Sequence, residues 1–517
     1  SSRSLALALL FSLLSLSCYA SVPSLASSDG FLRCLSAAIP KQLLYTQTSP
    51  SFTSVLVSSI RNPKFSTPST VKPLCIVTPT NSSHVQAAVV CGRRNDVRLR
   101  VRSGGHDYEG LSYRSARPEV FAVVDLANLR SVRVDQKAAT AWVDSGATLG
   151  ELYYAISKAS KLLAFPAGLC PTIGVGGHFS GGGFGMLLRK YGVAIDNVLD
   201  ATLVDAKGRL LDKQAMGTDV FWAIRGGGGE SFGIVLSWKV KLVPVPPTVT
   251  MFSVTKSVDE GAVDILTRWQ AVAPALHEDL FIRVLAQKQV ANFQAMYLGT
   301  PGMLLPLMRS RFPELGLNRT HCKEMTWIQS VPYIYLGSAA TLVETLLNRT
   351  TSLSTFTKNK SDYVKQAITK ETWEKIFPWF NSSAAGLMIL EPHGRRVGSI
   401  ADEDTPYPHR SSVLYNIQYV AFWTGNGTDG PNWIGGLYNF MEPFVSKNPR
   451  GAYVNYRDLD IGENTVVGGV TTYESGKVWG ESYFGGNFER LAITKGKVDA
   501  GDYFRNEQSV PPLLSRK

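Results

Sequence analysis

Two glycine-rich stretches determine the fold that this sequence predicts: Arg102-Ser-Gly-Gly-His-Asp-Tyr-Glu-Gly-Leu-Ser-Tyr113 and Cys170-Pro-Thr-Ile-Gly-Val-Gly-Gly-His-Phe-Ser-Gly-Gly-Gly-Phe-Gly185. A third cluster runs from Gly226 to Gly229. Glycine permits positive φ and lets backbone N–H groups approach an anion closely, which suits a pyrophosphate. Tight turns would explain any one cluster alone, but three clusters in one segment favour a site for a large phosphate-bearing cofactor.

The glycine clusters do not match the common nucleotide-binding fingerprints. None of the three contains G-x-G-x-x-G or G-x-x-x-x-G-K-[ST], which disfavours a Rossmann site and a nucleoside-triphosphatase loop. The run from Gly229 to Gly233 formally matches the G-x-S-x-G of serine hydrolases, in which the serine follows a buried strand and precedes a helix. Here glycines precede the motif and a strand-like run from Ile234 follows it. This context argues against a hydrolase.

His106 and Cys170 stand directly beside the first two glycine clusters. Both residue types ligate metals, but no H-x-x-H, H-x-x-x-H or C-x-x-C spacing completes a site around them. The seven histidines of the chain are also scattered. We therefore predict no metal site and a glycine-lined site with one histidine and one cysteine beside it.

Local patterns predict two domains. Between about Val71 and Val243, short β-rich runs alternate with turns. Phe121–Leu126 is typical of a buried strand, and Thr148-Leu-Gly-Glu151 has the form of a capping box at the start of a helix. In Ile234–Leu242 apolar residues alternate with Ser and Lys, as in a half-exposed strand. Pro244-Val-Pro-Pro247 then breaks the pattern and predicts a domain boundary.

Further elements follow from the same periodicities. The arginines of Val97–Arg102 alternate with apolar residues, which indicates a strand with one solvated face. Glu260–Val272 predicts a helix. A strand over Val413–Trp423 would place on one face Leu414, Asn416, Gln418 and Val420. A strand over Ala452–Leu459 would place on one face Val454, Tyr456 and Asp458.

The first twenty residues, SSRSLALALLFSLLSLSCYA, predict secretion. One Arg precedes a Leu-rich run and small residues follow near Ala20, which is typical of a signal peptide. No later stretch is long and apolar enough to cross a bilayer. Six Asn-X-Ser/Thr triplets also favour the glycosylating pathway. They begin at Asn81, Asn318, Asn348, Asn359, Asn381 and Asn426.

The number of cysteines and the net charge of the chain restrict the possible functions further. Without Cys18 of the signal, five cysteines remain, so at least one thiol lies outside any intrachain disulfide. The net charge is +12, but the basic residues are dispersed and no nucleic-acid-binding motif occurs. We predict no nucleic-acid partner. For a secreted protein, a basic surface suits an acidic polysaccharide, such as one of a cell wall, instead.

The two glycine-rich stretches, together with Tyr453-Val-Asn-Tyr-Arg-Asp-Leu-Asp460 and Tyr503-Phe-Arg-Asn-Glu-Gln-Ser509, resemble the signatures of the berberine-bridge-enzyme-like family of plant FAD oxidoreductases. The resemblance extends in order from about Phe31 to Pro512. Within that family the chain is similar to the grass-pollen group 4 allergens.

The resemblance implies an α+β, two-domain vanillyl-alcohol-oxidase-type FAD-binding fold with an antiparallel-sheet substrate domain. It divides the chain into a signal peptide (1–20), an FAD-binding domain (21–246), a substrate-binding domain (247–464) and a C-terminal segment that returns to the FAD domain (465–517). It implies FAD attached covalently to both His106 and Cys170. The other cofactor-binding residues that it implies are Ser103, Gly104, Gly105, Gly174, Gly176, Gly177, Gly182, Gly183, Gly233 and Ile234.

The resemblance also assigns the remaining cysteines. It implies a disulfide between Cys34 and Cys91 and leaves Cys75 and Cys322 as free thiols.

Family members oxidise an alcohol by removing a proton and passing hydride to the flavin. Tyr456 matches the catalytic tyrosine, Gln418 matches a polar position that faces the substrate, and Tyr108 is a candidate partner. A phenol with an ordinary pKa of ~10 needs nearby positive charge or hydrogen-bond donors to act as a base at neutral pH. This chain has Asn416 and Phe184 where sugar- and alcohol-oxidising relatives have Lys and Tyr. The identity of the base therefore stays open.

Ile173 matches the family position that controls access of oxygen to the flavin, where Val leaves access and a bulkier Ile blocks it. The sequence therefore predicts a dehydrogenase that uses an acceptor other than O₂. The leading hypothesis is a secreted, extracellular or cell-wall dehydrogenase of glucose or an oligosaccharide, acting as a monomer. The alternatives are an oxidase of aromatic alcohols or alkaloids, and a flavin-bearing wall glycoprotein without turnover. The substrate and the electron acceptor are not identified by the sequence.

Overall fold

The computed structural model describes residues 25–338, 341–350 and 355–514. The larger sheets fall into two groups, one in the N-terminal half and one between residues 249 and 423. The predicted signal peptide, residues 1–20, lies outside the described residues. Within those residues, no helix is long and apolar enough to cross a membrane.

The strands are mostly short before residue 245 and longer after it. They are β1 (Leu44–Thr46), β2 (Cys75–Val77), β3 (Arg98–Arg102), β4 (Phe121–Asp125), β5 (Val132–Asp135), β6 (Thr140–Asp144), β7 (Leu163–Ala164), β8 (Val198–Val204), β9 (Leu210–Leu211), β10 (Ile234–Lys241), β11 (Val243–Pro244), β12 (Val249–Ser257), β13 (Leu280–Gln287), β14 (Val290–Tyr297), β15 (Cys322–Met325), β16 (Phe356–Val364), β17 (Leu387–Pro392), β18 (Tyr415–Trp423), β19 (Val466–Val467) and β20 (Val470–Thr471).

The helices lie between and beside these strands. They are α1 (Leu25–Ala38), α2 (Phe52–Val57), α3 (Ser82–Arg94), α4 (Leu149–Ala159), α5 (Val175–Gly181), α6 (Leu188–Tyr191), α7 (Lys213–Ala223), α8 (Ala262–Val272), α9 (Pro301–Arg311), α10 (Trp327–Leu336), α11 (Lys370–Ile376), α12 (Arg395–Ser399), α13 (Asp429–Met441), α14 (Tyr473–Phe484) and α15 (Phe488–Val498).

Two sheets form the frame of the N-terminal half. The first has the order β1-β2-β4-β3, and β2 and β3 both run parallel to β4. The second is antiparallel, in the order β5-β6-β10-β8-β9. Because β3 ends at Arg102, the glycines at 104 and 105 lie in the loop at its carboxyl end.

Several local predictions in this half are confirmed. Phe121–Asp125 is buried throughout. The backbone N–H of Thr148 donates to Glu151, and the N–H of Glu151 donates to the hydroxyl of Thr148, so the predicted capping box starts α4. On β10, Lys239 is partly exposed and Lys241 is exposed, as the alternation indicated.

The expectation of a solvated arginine face on β3 is wrong. Arg100 and Arg102 are 3% and 0% exposed. Arg102 forms an ion pair with Asp125, and Arg100 forms one with Glu507 near the C-terminus. The returning chain covers this face, so the arginine charges are compensated by buried carboxylates rather than by water.

Seven antiparallel strands form the large sheet, in the order β15-β12-β14-β13-β17-β18-β16. One face packs against helices, and Ile282, Leu390 and Ile417 of the sheet share a core with Trp269 of α8 and Trp373 of α11. The opposite face points toward the N-terminal half, as the hydrogen bond from the side chain of Gln418 on β18 to Tyr108 shows. The predicted helix near Glu260–Val272 is present as α8.

The α+β class with an antiparallel second sheet is confirmed, whereas the domain borders after residues 246 and 464 stay predictions. The disulfide between Cys34 and Cys91 joins α1 to α3, as predicted. Cys75 and Cys322 are free and buried.

Candidate cofactor and active site

A cavity of about 250 Å³ lies between the glycine stretches and the segment around Tyr456. Gly228 and Gly229 bring the third glycine cluster to the same wall. Most of the residues singled out from the sequence also line it. These are Ser103, Gly104, Gly105, His106, Tyr108, Ile173, Gly174, Gly176, Gly177, Gly233, Ile234 and Tyr456.

The first two glycine stretches touch through their backbones. A Cβ added to Gly104 would lie 2.3 Å from the backbone nitrogen of Gly174, and a Cβ on Gly174 would lie 2.1 Å from Oγ of Ser103. Both distances are far below van der Waals contact, so a side chain at either position would push the two loops apart. These two glycines therefore hold the loops together.

Gly177 has a different role. A Cβ on this residue would meet no described atom within 4 Å, although the residue lines the cavity. The missing side chain therefore leaves open space for a ligand. A wall of this kind fits a large phosphate-bearing cofactor, whose anionic groups backbone N–H donors can approach closely.

Gly182 and Gly183 do not line this cavity, so the structure does not support their predicted contact with a cofactor. They form the turn that ends α5, with φ of 133° and 91°, a region that favours glycine. The backbone N–H of Gly183 donates to the hydroxyl of Tyr453 at 2.7 Å. This turn therefore positions Tyr453.

Thr172 connects His106 with Cys170. Its hydroxyl lies 2.9 Å from Nε2 of His106 and 3.4 Å from Sγ of Cys170. Burial, and second the positive charge of Arg61, lower the pKa of His106 to about 3, so its imidazole is neutral at physiological pH. Sequence reasoning missed Thr172, although its place two residues after Cys170 was a usable signal.

The three candidate catalytic residues lie together. The side-chain amide of Gln418 donates to the hydroxyl of Tyr108 at 3.1 Å and to Oδ1 of Asn359 at 2.7 Å. The rings of Tyr108 and Tyr456 meet edge to face, with centroids 6.2 Å apart. Burial raises the pKa of Tyr108 to about 12, so this phenol is protonated at neutral pH.

The predicted strand Ala452–Leu459 is wrong. Val454–Tyr456 form a 3₁₀ turn, which the N–H of Tyr456 closes by donating to the carbonyl of Tyr453 at 2.8 Å. Tyr456 lines the cavity, while Asp458 forms an ion pair with Lys360. The two residues thus do not share a strand face.

Phe184 and Asn416, the two residues that differ from the family pattern, place no positive charge beside Tyr456. Phe184 stacks on Tyr453 at 4.0 Å and meets Tyr456 edge-on at 6.4 Å. Nδ2 of Asn416 donates to the carbonyl of Asp362 at 3.1 Å. Any positive charge that helps Tyr456 to act as a base must therefore come from other neighbours of this tyrosine.

Two charged residues that the sequence analysis did not single out lie beside Tyr456. Burial, and second the negative charge of Glu391 on β17, raise the pKa of Tyr456 well above its usual value, while the positive charge of Arg283 on β13 opposes this rise. Glu391 and Arg283 are each surrounded by apolar residues on their strands, so neither belongs to a recognisable sequence motif. Only the pairing of the strands brings them to the site.

One predicted glycosylation site is contradicted. Asn359 is 0% exposed in the middle of β16 and accepts a hydrogen bond from Gln418. A glycan needs a surface position, so this asparagine belongs to the site instead. The other five sequon asparagines are exposed: Asn81, Asn318, Asn348, Asn381 and Asn426.

Ser231 of the G-x-S-x-G match is buried, with 1% exposure. Its hydroxyl accepts a hydrogen bond from the backbone N–H of Val510 at 3.0 Å, and the strand β10 follows it. This serine holds the C-terminal segment and is not presented as a nucleophile.

Comparison with known families agrees with this geometry. Residues 73–213 match the FAD binding domain, and residues 452–511 match the family described as berberine and berberine like. Both segments contribute to the cavity wall. The fold and the site define an FAD-dependent oxidoreductase of the two-domain vanillyl-alcohol-oxidase type.

The chain is 62% identical over 520 residues to Berberine bridge enzyme-like Cyn d 4 of Cynodon dactylon, covering 99% of each chain. It therefore belongs to the berberine bridge enzyme-like family. The solved structure of wild-type Phl p 4.0202, described as a glucose dehydrogenase, is 62% identical with a TM-score of 0.93 and covers 94% of this chain and 100% of its own. An isoleucine-to-valine variant of Phl p 4, described as a glucose oxidase, matches with the same identity, TM-score and coverage.

The substitution Gly177→Ala tests the cavity as the FAD site. The added methyl would occupy open space in the cavity, so we expect the variant to lose most of its flavin. Visible absorbance relative to protein measures this. Gly435→Ala on α13 is the control, because that position also has open space and lies outside the cavity lining. Full flavin content in the Gly177 variant would contradict the assignment.

Proposed function

We propose that this protein is a secreted, FAD-dependent sugar dehydrogenase whose flavin is held covalently by His106 and Cys170. The observation that carries the proposal is the contact of both side chains with the hydroxyl of Thr172, beside the glycine-lined cavity. When bound, the flavin supplies the hydride acceptor. The chain's own groups bind the alcohol, orient it and remove its proton.

The state of the two side chains supports covalent attachment. A histidine needs a free lone pair on nitrogen to form a bond to carbon, and the buried imidazole of His106 is neutral because its pKa is lowered to about 3. Cys170 does not line the cavity itself, but it is half-buried and contacts Thr172, which also contacts His106 of the cavity wall. The other free cysteines of the described chain, Cys75 and Cys322, are buried. A bond to flavin would also account for the odd number of cysteines.

Acid precipitation tests the attachment. We expect the wild-type pellet to stay yellow, and His106→Ala and Cys170→Ala to stay yellow as single variants because each keeps one tether. The double variant should release its flavin into the supernatant. Cys322→Ala removes a buried free thiol and should behave as wild type. A colourless wild-type pellet would refute covalent binding.

A sugar is the proposed substrate because Phl p 4.0202 is described as a glucose dehydrogenase at 62% identity. The polar groups beside Tyr456 suit a polyhydroxyl ligand, since the phenol of Tyr108 and the amides of Gln418 and Asn359 offer both donors and acceptors. The alternative substrates, aromatic alcohols and alkaloids, offer fewer hydroxyls to such groups.

Anaerobic mixing with candidate donors tests the substrate class. We expect glucose or oligosaccharides to bleach the visible flavin band, since hydride transfer reduces the flavin. Monolignols and alkaloids serve as the matched comparison. Bleaching by aromatic donors alone would favour the oxidase of aromatic alcohols. A flavin that no donor reduces would favour a wall glycoprotein without turnover.

Ile173 is proposed to limit the reaction of the reduced flavin with oxygen. Ile173 lines the cavity. Its carbonyl accepts a hydrogen bond from the N–H of Leu149 at 2.9 Å, which holds the loop that contains Ile173. The wild-type and isoleucine-to-valine forms of Phl p 4, described as a dehydrogenase and an oxidase, support this role.

We expect Ile173→Val to accelerate reoxidation by O₂, because removing one methyl opens space beside the flavin. Stopped-flow mixing of sugar-reduced enzyme with oxygenated buffer measures the rate. Ile195→Val removes the same methyl from the core outside the cavity lining and should leave the rate unchanged. An unchanged rate in the Ile173 variant would show that another feature blocks oxygen.

Secretion to the extracellular space or cell wall is also proposed. The disulfide between Cys34 and Cys91 and the five exposed sequons support an oxidising, glycosylating pathway. The net charge of +12 supports attraction to acidic wall polysaccharide, and we propose a monomer.

A further inference from the structure

Two loops bring the tyrosines of the site together. Loop A, residues 103–110, follows β3 and carries Tyr108. Loop B, residues 454–460, contains the 3₁₀ turn with Tyr456. The two rings line the cavity and meet edge to face, with centroids 6.2 Å apart. Since the loops are far apart in the chain, tertiary contacts must set this distance.

A single ammonium group joins the two loops. Nζ of Lys358 on β16 donates to the carboxylate of Glu109 in loop A and lies 2.7 Å from Oδ1 of Asp458 in loop B. It also donates to Oδ1 of Asp460 in loop B at 3.1 Å. Because Glu109 directly follows Tyr108 in the chain, Lys358 ties loop A to loop B beside the aromatic pair.

A second ion pair joins the same loops on the other side of Tyr108. Nε of Arg457 in loop B lies 3.0 Å from Oδ2 of Asp107 in loop A. The residues before and after Tyr108 are thus both held from loop B, one directly and one through Lys358. The position of the Tyr108 ring therefore depends on both connections.

The bridge through Lys358 is buried, so water screens it little. The side chains of Lys358, Glu109 and Asp458 are 11%, 6% and 3% exposed. Burial lowers the pKa of Lys358, but the carboxylates of Asp458 and Glu109 outweigh it and raise this pKa above its usual value, so the amine is charged. Removing the ammonium would leave Glu109 facing Asp458 with one cation fewer between the loops. Breaking one partner out of a buried ion pair is costly for this reason.

The strand that carries Lys358 is itself fixed at the site. Oδ1 of Asn359, the next residue, accepts a hydrogen bond from Gln418 at 2.7 Å. The hydroxyl of Ser361 accepts one from the backbone N–H of Tyr453 at 2.8 Å. Because side chains alternate between the faces of a strand, these bonds hold β16 from the face opposite to Lys358. The lysine therefore extends from a rigid support.

Lys360 shares a strand face with Lys358 but contacts one loop only. Its Nζ donates to Oδ2 of Asp458 at 2.8 Å and to Oδ2 of Asp460 at 2.6 Å, both in loop B. Within the described part of the chain it forms no ion pair with loop A. One strand thus presents a lysine that bridges the loops and a lysine that does not.

We propose that Lys358 is a positioning residue for alcohol oxidation, which holds loop A and loop B at the separation that lets Tyr108 and Tyr456 act on the same substrate hydroxyl. This inference rests on the proposed function. Lys358 does not line the cavity, so it acts through the two loops rather than on the substrate.

The rate of flavin reduction at saturating sugar tests the proposal in the holoenzyme. Lys358→Met removes the charge and keeps an unbranched side chain. We expect the rate to fall by about 10²-fold, because a misplacement of ~1 Å in a reacting group is enough for a loss of this size. Lys358→Arg keeps the positive charge and several donors, so it should retain most of the rate.

Lys360→Met is the matched control. It removes a buried lysine from the same face of the same strand but leaves Asp458 paired with Lys358. This control should lose thermal stability, as Lys358→Met does, and keep the wild-type rate. An equal loss of rate in both lysine variants would overturn the proposal, since the effect would then come from lost stability and not from the bridge.

A double-mutant cycle with Glu109→Gln tests whether Lys358 acts through loop A. Glu109→Gln alone should lower the rate less than Lys358→Met, because Lys358 stays paired with loop B. The two substitutions together should cost less than the sum of their single effects, since no unpaired carboxylate then remains on loop A. The double variant also replaces Lys358→Met should that variant fail to fold. Additive losses would contradict the bridge.

Crystal structures of the flavin-bearing variants give a readout apart from activity. We expect the distance between the ring centroids of Tyr108 and Tyr456 to grow beyond 6.2 Å in Lys358→Met and to stay unchanged in Lys360→Met. Wild type that no sugar reduces would refute the proposed function, and the ring distance would still decide whether Lys358 holds the loops. Normal reduction by wild type, with an unchanged rate and ring distance in Lys358→Met, would overturn the role of Lys358 alone.

Discussion

The contact between the backbones of Gly104 and Gly174 is the constraint on which the site depends. A Cβ on either residue would fall within 2.3 Å of the other loop, so only glycine at both positions lets the two loops meet. Their meeting brings His106 and Cys170 to one threonine hydroxyl. It also forms the cavity wall to which the third glycine cluster is added. The loops can be held this closely because each follows an element anchored in a buried core.

The large sheet contributes polar and charged side chains on the other side of the cavity. Antiparallel pairing places charges from separate strands in one row, and the 3₁₀ turn at Tyr456 brings a phenol against that row. Burial raises the pKa of both Glu391 and Tyr456, and the positive charge of Arg283 opposes both shifts. The positive charge that acts on Tyr456 comes from Arg283 on β13.

Local sequence signals predicted those features that depend on neighbouring residues. The capping box at Thr148, the buried strand at Phe121 and the half-exposed strand at Ile234 each result from interactions within a few residues. Prediction failed where distant chain covered the element. Arg100 was expected in water, but the returning segment with Glu507 covers it, and Asn359 matched a sequon although neighbouring strands enclose it.

The sequence by itself determined the glycine clusters, the histidine and cysteine beside them, and the family to which those motifs belong. These features are local because a glycine is needed where a Cβ would otherwise fill the space between two loops, as at Gly104 and Gly174. Tertiary structure alone decided that Thr172 lies between His106 and Cys170, and that Glu391 and Arg283 stand beside Tyr456. Strand register and loop contact set these neighbours, and neither leaves a periodic mark in the sequence.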